Sequence, residues 1–187
     1  MDEQREPQKD SSAAAGTSLL FDAIDVVVSA FVLGVLIFLF CFRTVGVFGS
    51  SMEQTLLEGD RLVISDLFYT PKQGDIVVVR KLSYKQDAIV KRVIAMEGQT
   101  VDIDFDAGVV YVDGVALDEP YTNTPTNVRE DFSGPITVPE GCVFVMGDNR
   151  NRSSDSRTNA IGCVDTRLIV GRVLFRLLPF SKFGSVS

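Results

Sequence analysis

The stretch from Val26 to Phe42 carries no formal charge and consists mainly of Val, Leu, Ile and Phe. This feature constrains the fold of the chain more than any other. As an α-helix it spans roughly 25 Å, close to the ~30 Å hydrocarbon core of a bilayer, and apolar residues on both sides can extend it. Because the stretch is apolar on every face, it lacks the polar face of a surface helix in a soluble domain. We therefore predict a transmembrane helix over residues 19–43.

Two other interpretations of this segment are weaker. A cleaved signal peptide usually has a basic start, a shorter apolar region and small residues at its cleavage site. Here the preceding residues are net acidic and no Ala-x-Ala pattern follows. A buried core helix is the second alternative.

Residues 1–18 are polar and lack apolar periodicity, which predicts a disordered tail. Residues 44–187 are predicted to form a separate domain.

Composition excludes several classes of function. The net charge of −7 argues against a protein that binds nucleic acid by neutralising phosphates. The chain has no histidine, and its cysteines, Cys41, Cys142 and Cys163, form no Cys-x-x-Cys pair. A structural zinc site is therefore not expected, and neither is any other metal or cofactor. Whether Cys142 and Cys163 pair as a disulfide stays open, because spacing does not settle their geometry.

Beyond residue 50 the sequence consists of short apolar runs separated by turn residues, which predicts strands joined largely by hairpins. The fold class is therefore mainly β, an antiparallel domain preceded by one N-terminal transmembrane helix. Residues 118–140 are rich in Pro, Thr, Asn and Gly and are predicted to form a long loop region. The predicted strands are Arg61–Ile64, Ile76–Val79, Ala88–Met96, Val101–Phe105, Val109–Val112, Val143–Met146 and Leu168–Phe175.

Ser51 follows the apolar segment closely and is a candidate nucleophile. A hydrolytic serine normally uses a neighbouring imidazole as its base, and this chain has none. Lysine is the first alternative, since burial can lower its pKa into the working range of a general base. The lysines after Ser51 are Lys72, Lys81, Lys85, Lys91 and Lys182.

Lys91 is distinguished by its position within a predicted strand. Side chains alternate between the two faces of a strand, so Lys91 is expected to share a face with Ile89, Val93 and Ala95. Aliphatic neighbours desolvate an ammonium group, which favours the neutral amine that a base requires. The alternative is a lysine on an edge strand that extends its amine into water.

Eleven residues without an apolar side chain, 147–157, follow the predicted strand Val143–Met146 directly. The simplest interpretation of such a run is a solvated loop. Its hydroxyl, carboxylate and guanidinium groups also suit a shell of hydrogen bonds that orients a lysine amine.

Together these motifs resemble bacterial type I signal peptidases, over roughly residues 26–184. The single N-terminal anchor and the short insert before the last motif are similar to the compact Gram-positive forms. A Ser-Met or Lys-Arg pair alone would be weak evidence for the resemblance, whereas several motifs in this order after a membrane helix are specific evidence. The motifs are Ser51-Met52 with Thr55-Leu56, Gly74-Asp75-Ile76-Val77, Lys91-Arg92-Val93-Ile94, Gly147-Asp148-Asn149-Arg150 with Ser153 to Arg157, and Leu178 to Gly184.

The resemblance implies a Ser/Lys-dyad endopeptidase that releases secretory proteins from their signal peptides. Ser51 matches the nucleophile, and Lys91 matches the general base that later protonates the leaving amine. Ser153 matches the serine that orients the lysine. Asp155 and Arg157 match a pair that supports its loop.

The resemblance also implies the substrate contacts. The Ser51 N–H would donate to the oxyanion, and Gly49 stands where some relatives carry a hydroxyl as second donor. Met52 and Val90 match residues that line the pocket for small side chains at −1 and −3 of the substrate. Gln54 departs from the pattern, because the family usually has proline there.

The implied location is the cell membrane, single-pass, with a cytoplasmic N-terminus and an extracytoplasmic peptidase domain. Expected partners are preprotein signal peptides and the lipid bilayer, with the secretion machinery nearby and no nucleic acid. One alternative is a non-enzymatic, membrane-anchored extracytoplasmic β domain that binds partners. A second is a soluble Ser/Lys autoprotease of the repressor type, but such proteins carry a DNA-binding domain where this chain has its membrane segment.

Overall fold

The computed structural model describes the backbone of residues 11–80 and 87–186, and side chains from residue 21 onward. The chain divides into two compact units, one ending at Cys41 and the other spanning Phe42–Ser187. This division lies close to the boundary predicted between anchor and domain.

The described residues of the first unit form one helix, α1 (Ser11–Cys41). Its stretch Phe21–Cys41 has 21 residues, a mean hydropathy of 2.7 and exposed side chains, so it is long and apolar enough to span a membrane. The helix begins at Ser11, which differs from the predicted disordered tail, because the Ala-rich residues there favour helix and continue directly into the apolar segment. Residues 1–10 of that tail lie outside the described residues.

Val45 to Phe48, which the apolar pattern assigns to an extension of the membrane helix, lie beyond its end. The chain leaves the helix after Cys41 and forms strand β1 (Arg43–Gly46) instead. This strand pairs antiparallel with β2 (Arg61–Ser65), with Arg43 opposite Ile64. Strand pairing satisfies the backbone of this segment within the domain, so the predicted anchor is two residues too long at this end.

Within the described part of the second unit there are twelve short strands, and every predicted strand is present to within three residues at each end. The strands that the sequence did not predict are short or lie next to loops. The twelve are β1 (Arg43–Gly46), β2 (Arg61–Ser65), β3 (Ile76–Val79), β4 (Ile89–Met96), β5 (Thr100–Asp104), β6 (Val109–Val112), β7 (Val115–Ala116), β8 (Ile136–Thr137), β9 (Cys142–Met146), β10 (Val164–Asp165), β11 (Ile169–Leu178) and β12 (Gly184–Ser185).

These strands form two sheets. The larger has the order β1-β2-β11-β3-β4-β9-β10, with β12 also paired to β11, and the smaller has the order β7-β6-β5-β8. All strand pairs are antiparallel, as predicted. β11 lies between β2 and β3 in the sheet. A strand from the C-terminal part of the domain therefore pairs with two strands from its N-terminal part.

Strand β4 changes register in its second half. A shift between Val93 and Ala95 in the pairing with β9 interrupts the alternation of side chains. Ala95 therefore packs with Ile94 in one apolar cluster, while Val93 packs with Met96 in another. The prediction that Ala95 shares the Lys91 face is wrong for this reason, whereas Ile89 and Val93 do pack together.

Residues 118–140 contain turns and one short strand, β8, which pairs with β5 through Val101 and Ile136. Phe132 of this region packs edge-on against Phe105 and Phe144, with ring centroids 5.8 and 6.3 Å apart. The region is therefore part of the core rather than a peripheral loop. Among the described residues no disulfide joins Cys142 to Cys163, and both half-buried side chains pack against this apolar cluster.

Candidate active site

Ser51 and Lys91 are hydrogen-bonded, although 40 residues separate them in the chain. Lys91 Nζ lies 2.8 Å from Ser51 Oγ, and the same amine donates to the carbonyl of Val90 at 3.0 Å. Lys91 is 3% exposed. The predicted burial is therefore confirmed, and the alternative of a lysine that extends into water is wrong. Of the other candidates, Lys81 and Lys85 lie outside the described residues.

Strand pairing fixes the position of Lys91. β3 pairs with β4 from Ile89 to Arg92, whereas β9 pairs with it only from Arg92 onward. The segment from Ile89 to Lys91 consequently has β3 on one side and a cleft on the other. The amine projects from a backbone that the sheet holds in place.

Ser51 lies in a turn that is anchored to the core by its neighbours. Met52 and Leu56 are buried in one apolar cluster, and Leu56 N donates to Met52 O at 2.8 Å. Asn149, from the distant loop after β9, donates its backbone N–H to Ser51 O at 3.0 Å and its side-chain amide to Ser50 O at 3.0 Å. We call residues 50–57 the nucleophile turn.

A buried ion pair connects this turn to the strand that carries Lys91. Arg92 Nε and a terminal nitrogen of Arg92 lie 2.9 and 2.7 Å from the two carboxylate oxygens of Asp148. Thr55 donates its hydroxyl to the same carboxylate at 2.5 Å. Sequence reasoning did not assign a role to Arg92, yet alternation places it among Val90 and Ile94, and a charge on an apolar face requires a partner.

Arg176 on β11 holds the far end of the nucleophile turn. Its guanidinium donates to the backbone carbonyl of Thr55 and lies 3.2 Å from Asp60 Oδ2. Asp60 in turn accepts the Leu57 N–H at 3.0 Å. Both charged residues are buried. The turn is thus fixed from β11 as well as from the loop after β9.

The loop of residues 147–157 is largely buried, so its interpretation as a solvated loop is wrong. Arg150 pairs with Glu119 through two contacts of 2.7 and 2.5 Å and also donates to Gly147 O at 3.0 Å. The ring of Tyr121 lies 3.8 Å from the Arg92 guanidinium, and burial raises the pKa of this tyrosine above its usual range. Residues of the 118–140 region therefore cover the loop and supply its counter-charge.

Asp155 and Arg157 form a fully buried ion pair, with Nε to Oδ1 at 2.8 Å. Arg157 also donates to the carbonyls of Val128 and Arg150 at 2.8 and 2.6 Å. Asp155 accepts the N–H of Gly147 at 3.1 Å. These contacts join the two ends of the loop and attach the loop to the segment around Val128.

Ser153 is buried beside the dyad, but its hydroxyl makes no hydrogen bond among the described residues. The predicted bond from Ser153 to Lys91 is therefore not formed in this structure. Ser153 packs closely against Gly147, where an added Cβ would overlap both the Ser153 side chain and the Ser51 carbonyl oxygen. Glycine is required at 147 because these two segments meet there.

A cleft of about 560 Å³ opens over the dyad. Of the residues predicted to contact substrate, Gly49 and Val90 line it together with Ser51 and Lys91. Met52 is not among the lining residues, since its side chain is 2% exposed and packs in the core beneath the turn. The described residues contain no group of three or more His, Cys, Asp or Glu side chains that could hold a metal.

Gln54 adopts a left-handed backbone conformation, with φ of 78°. Proline fixes φ near −65° and cannot take this conformation. Gln54 thus departs from the family pattern at a position where this chain has a positive φ, and the next residue, Thr55, contacts both Asp148 and Arg176.

A serine hydrogen-bonded to a buried lysine, in an antiparallel β domain that follows a long apolar helix, is the arrangement expected of a serine hydrolase that uses lysine as its base. The chain belongs to the signal peptidase family, peptidase S26, whose model matches residues 20–178. The predicted family, mainly β fold and enzyme class are thus confirmed. Because the chain belongs to a peptidase family, the alternative of a non-enzymatic domain that only binds partners is not supported.

Several relatives are similar over most of their length. The chain is 38% identical over 174 residues to signal peptidase I of Bacillus licheniformis, covering 87% of this chain and 91% of that protein. It is 38% identical over 173 residues to a probable signal peptidase I-1 of Synechocystis sp., covering 87% and 85%. A crystal structure of a signal peptidase I from Enterococcus faecalis is 31% identical, with 56% and 97% covered and a TM-score of 0.45.

Replacement of Gln54 tests the geometry of the nucleophile turn. Gln54→Pro is expected to lower the free energy of unfolding by more than about 1 kcal/mol, because proline cannot adopt the observed φ. Gln54→Gly is expected to keep stability within about 1 kcal/mol of the original, since glycine takes a positive φ without strain. Thermal unfolding measures both, and a Gln54→Pro variant as stable as the original would contradict this geometry.

Gly147→Ala is expected to reduce peptidase activity at least tenfold and to destabilise the domain by about 1–3 kcal/mol, because the new methyl overlaps Ser153 and the Ser51 carbonyl. Gly34→Ala is a matched control, since a Cβ there meets no atom within 4 Å. Cleavage rates and unfolding temperatures should be measured for both. Unchanged activity in Gly147→Ala would show that the two segments are not in contact.

Proposed function

We propose that this membrane protein cleaves N-terminal signal peptides from secreted preproteins, with Ser51 as nucleophile and Lys91 as general base. The observation that carries the assignment of residues is the 2.8 Å hydrogen bond between Lys91 Nζ and Ser51 Oγ in a chain without histidine. Burial of Lys91 disfavours its charged form, as a base that works near neutral pH requires.

The reaction follows from this geometry. Neutral Lys91 takes the Ser51 hydroxyl proton while Oγ attacks the carbonyl carbon of the scissile peptide bond. The backbone N–H of Ser51 donates to the resulting oxyanion. Lys91, now an ammonium, returns the proton to the leaving amine, and an ester of Ser51 remains. Water, deprotonated by Lys91, then hydrolyses that ester and frees the enzyme.

Ser153, Asp155 and Arg157 are proposed to support Lys91 rather than to react. The Ser153 hydroxyl is buried near the dyad and has no hydrogen-bond partner in the described part of the chain, so it is available to bond the lysine when the amine leaves Ser51. Asp155 and Arg157 hold the loop that carries Ser153 through their buried ion pair.

The cleft supports binding of an extended peptide. The stretch from Ile89 to Lys91 faces the cleft on the side that β9 does not cover, so a substrate strand can pair with it. Val90 and Gly49 line this path close to Ser51, which suits small side chains at −1 and −3. Met52 is proposed to shape the pocket from below, through packing of the turn.

The proposed orientation places the N-terminus in the cytoplasm and the peptidase domain on the opposite side of the membrane. Signal peptides are cleaved as preproteins emerge on that side. In this orientation the domain meets its substrates beside the secretion machinery, and α1 keeps it at the lipid surface. Protease protection of the domain in sealed vesicles tests the orientation.

Ser51→Ala and Lys91→Ala are each expected to lower the rate of preprotein cleavage by at least about a thousandfold. Losing one member of a catalytic unit costs about as much activity as losing the whole unit. Mass spectrometry of the products reports the cleavage position, and a trapped ester in the original protein reports the nucleophile. Ser133→Ala and Lys72→Ala, both exposed and distant from the dyad in the chain, are the controls. Cleavage retained in either dyad variant, with an unchanged unfolding temperature, would exclude this mechanism.

A further inference from the structure

The loop of residues 147–157 carries three arginines with different surroundings. Arg150 and Arg157 are buried, and each contacts a carboxylate at close range. Arg152 is exposed and lines the catalytic cleft with Ser51 and Lys91. Among the described residues no Asp or Glu lies within 4 Å of the Arg152 guanidinium. The contrast within one loop singles out Arg152.

The backbone of Arg152 is fixed relative to the nucleophile. Residues Arg150–Arg152 form a 3₁₀ turn, in which Arg152 N donates to Asn149 O at 3.0 Å. Asn149 N donates in turn to Ser51 O at 3.0 Å. Two hydrogen bonds therefore connect Arg152 to the turn that carries the attacking hydroxyl. The backbone of Arg152 is therefore held close to the turn that carries Ser51.

The other charged side chains that line the cleft either lie next to an opposite charge or are bonded to Ser51. Arg80 follows β3 and Asp87 precedes β4, so the pairing of Val79 with Ile89 places these opposite charges at the same end of the cleft. Lys91 is buried and bonded to Ser51. Arg152 thus lines the same cleft as Ser51 and has no ion-pair partner within the part of the chain that the structure describes, although the net charge of the chain is −7.

We propose that Arg152 is a specificity-determining residue that favours preproteins with an aspartate or glutamate close to the cleavage site. This inference rests on the proposed signal peptidase function. A guanidinium pairs with a carboxylate through two parallel hydrogen bonds, and a cleft strengthens that attraction over open solvent. An acidic chain would otherwise repel such a substrate. Because Arg152 lines the same cleft as Ser51 and Lys91, we expect the contact close to the scissile bond.

Paired peptide substrates test the proposal with the full-length protein in detergent micelles. Each pair carries either Glu or Gln at one position, scanned from three residues before the bond to three after it. The small residues at −1 and −3 are kept in every peptide that does not probe those positions. For the original protein we expect kcat/KM to be about two- to fivefold higher for Glu at one position, because a partly exposed ion pair contributes at that level.

Variants of Arg152 give the decisive comparison. Arg152→Gln is expected to bring the Glu/Gln ratio at that position to one, and Arg152→Glu to invert it. Raising the salt concentration should move the ratio toward one wherever residue 152 is charged, and should leave it unchanged in Arg152→Gln. Arg167→Gln is the matched control, since Arg167 is exposed, pairs with Asp165 and does not line the catalytic cleft. Its ratio should equal that of the original protein.

Two results would overturn the proposal and are distinguishable. If the Gln peptides are cleaved but no position shows a ratio that depends on residue 152, the selectivity is wrong while the peptidase function stands. If no peptide and no preprotein is cleaved by the original protein, the proposed function fails and the selectivity fails with it. Unfolding temperatures of the variants establish that the exposed substitutions leave the fold intact.

Discussion

The buried ion pair between Arg92 and Asp148 is the contact on which the rest of the site depends. Arg92 follows Lys91 directly on β4, and Asp148 belongs to the loop that contains Ser153. The same carboxylate accepts the hydroxyl of Thr55 from the nucleophile turn. One carboxylate thus contacts the residue next to Lys91 and the turn that carries Ser51, and it belongs to the loop of Ser153. Removing one partner of such a pair costs about 3–5 kcal/mol, since the other charge is left buried alone.

Much of the fold could be predicted because its signals are local. Short apolar runs bounded by turn residues located the main strands, and the uncharged segment before Arg43 located the membrane helix. The absence of histidine directed attention to lysine, and strand alternation singled out Lys91 by its aliphatic neighbours. The roles of Ser153, Asp155 and Arg157 came only from the family resemblance, because a polar loop gives no sign of burial.

What could not be predicted depends on contacts between distant parts of the chain. Glu119 and Tyr121 cover the loop of residues 147–157, but nothing in their local sequence indicates that partner. Strand β1 resembled the end of the membrane helix until its pairing with β2 was known. The shift in β4 moved Ala95 to another cluster, and Gln54 showed its left-handed backbone only in three dimensions. In each case tertiary pairing overrode a local pattern.

The contacts of the nucleophile turn span most of the domain, because Ser51 is held by Asn149 and Thr55 by Arg176. During synthesis a ribosome must add more than a hundred residues after Ser51 before the last of these partners exists. Because domains fold as units, we expect the Ser51–Lys91 contact to form only once β11 has been made. The order of the sequence thus delays assembly of the site until translation of the domain is nearly finished.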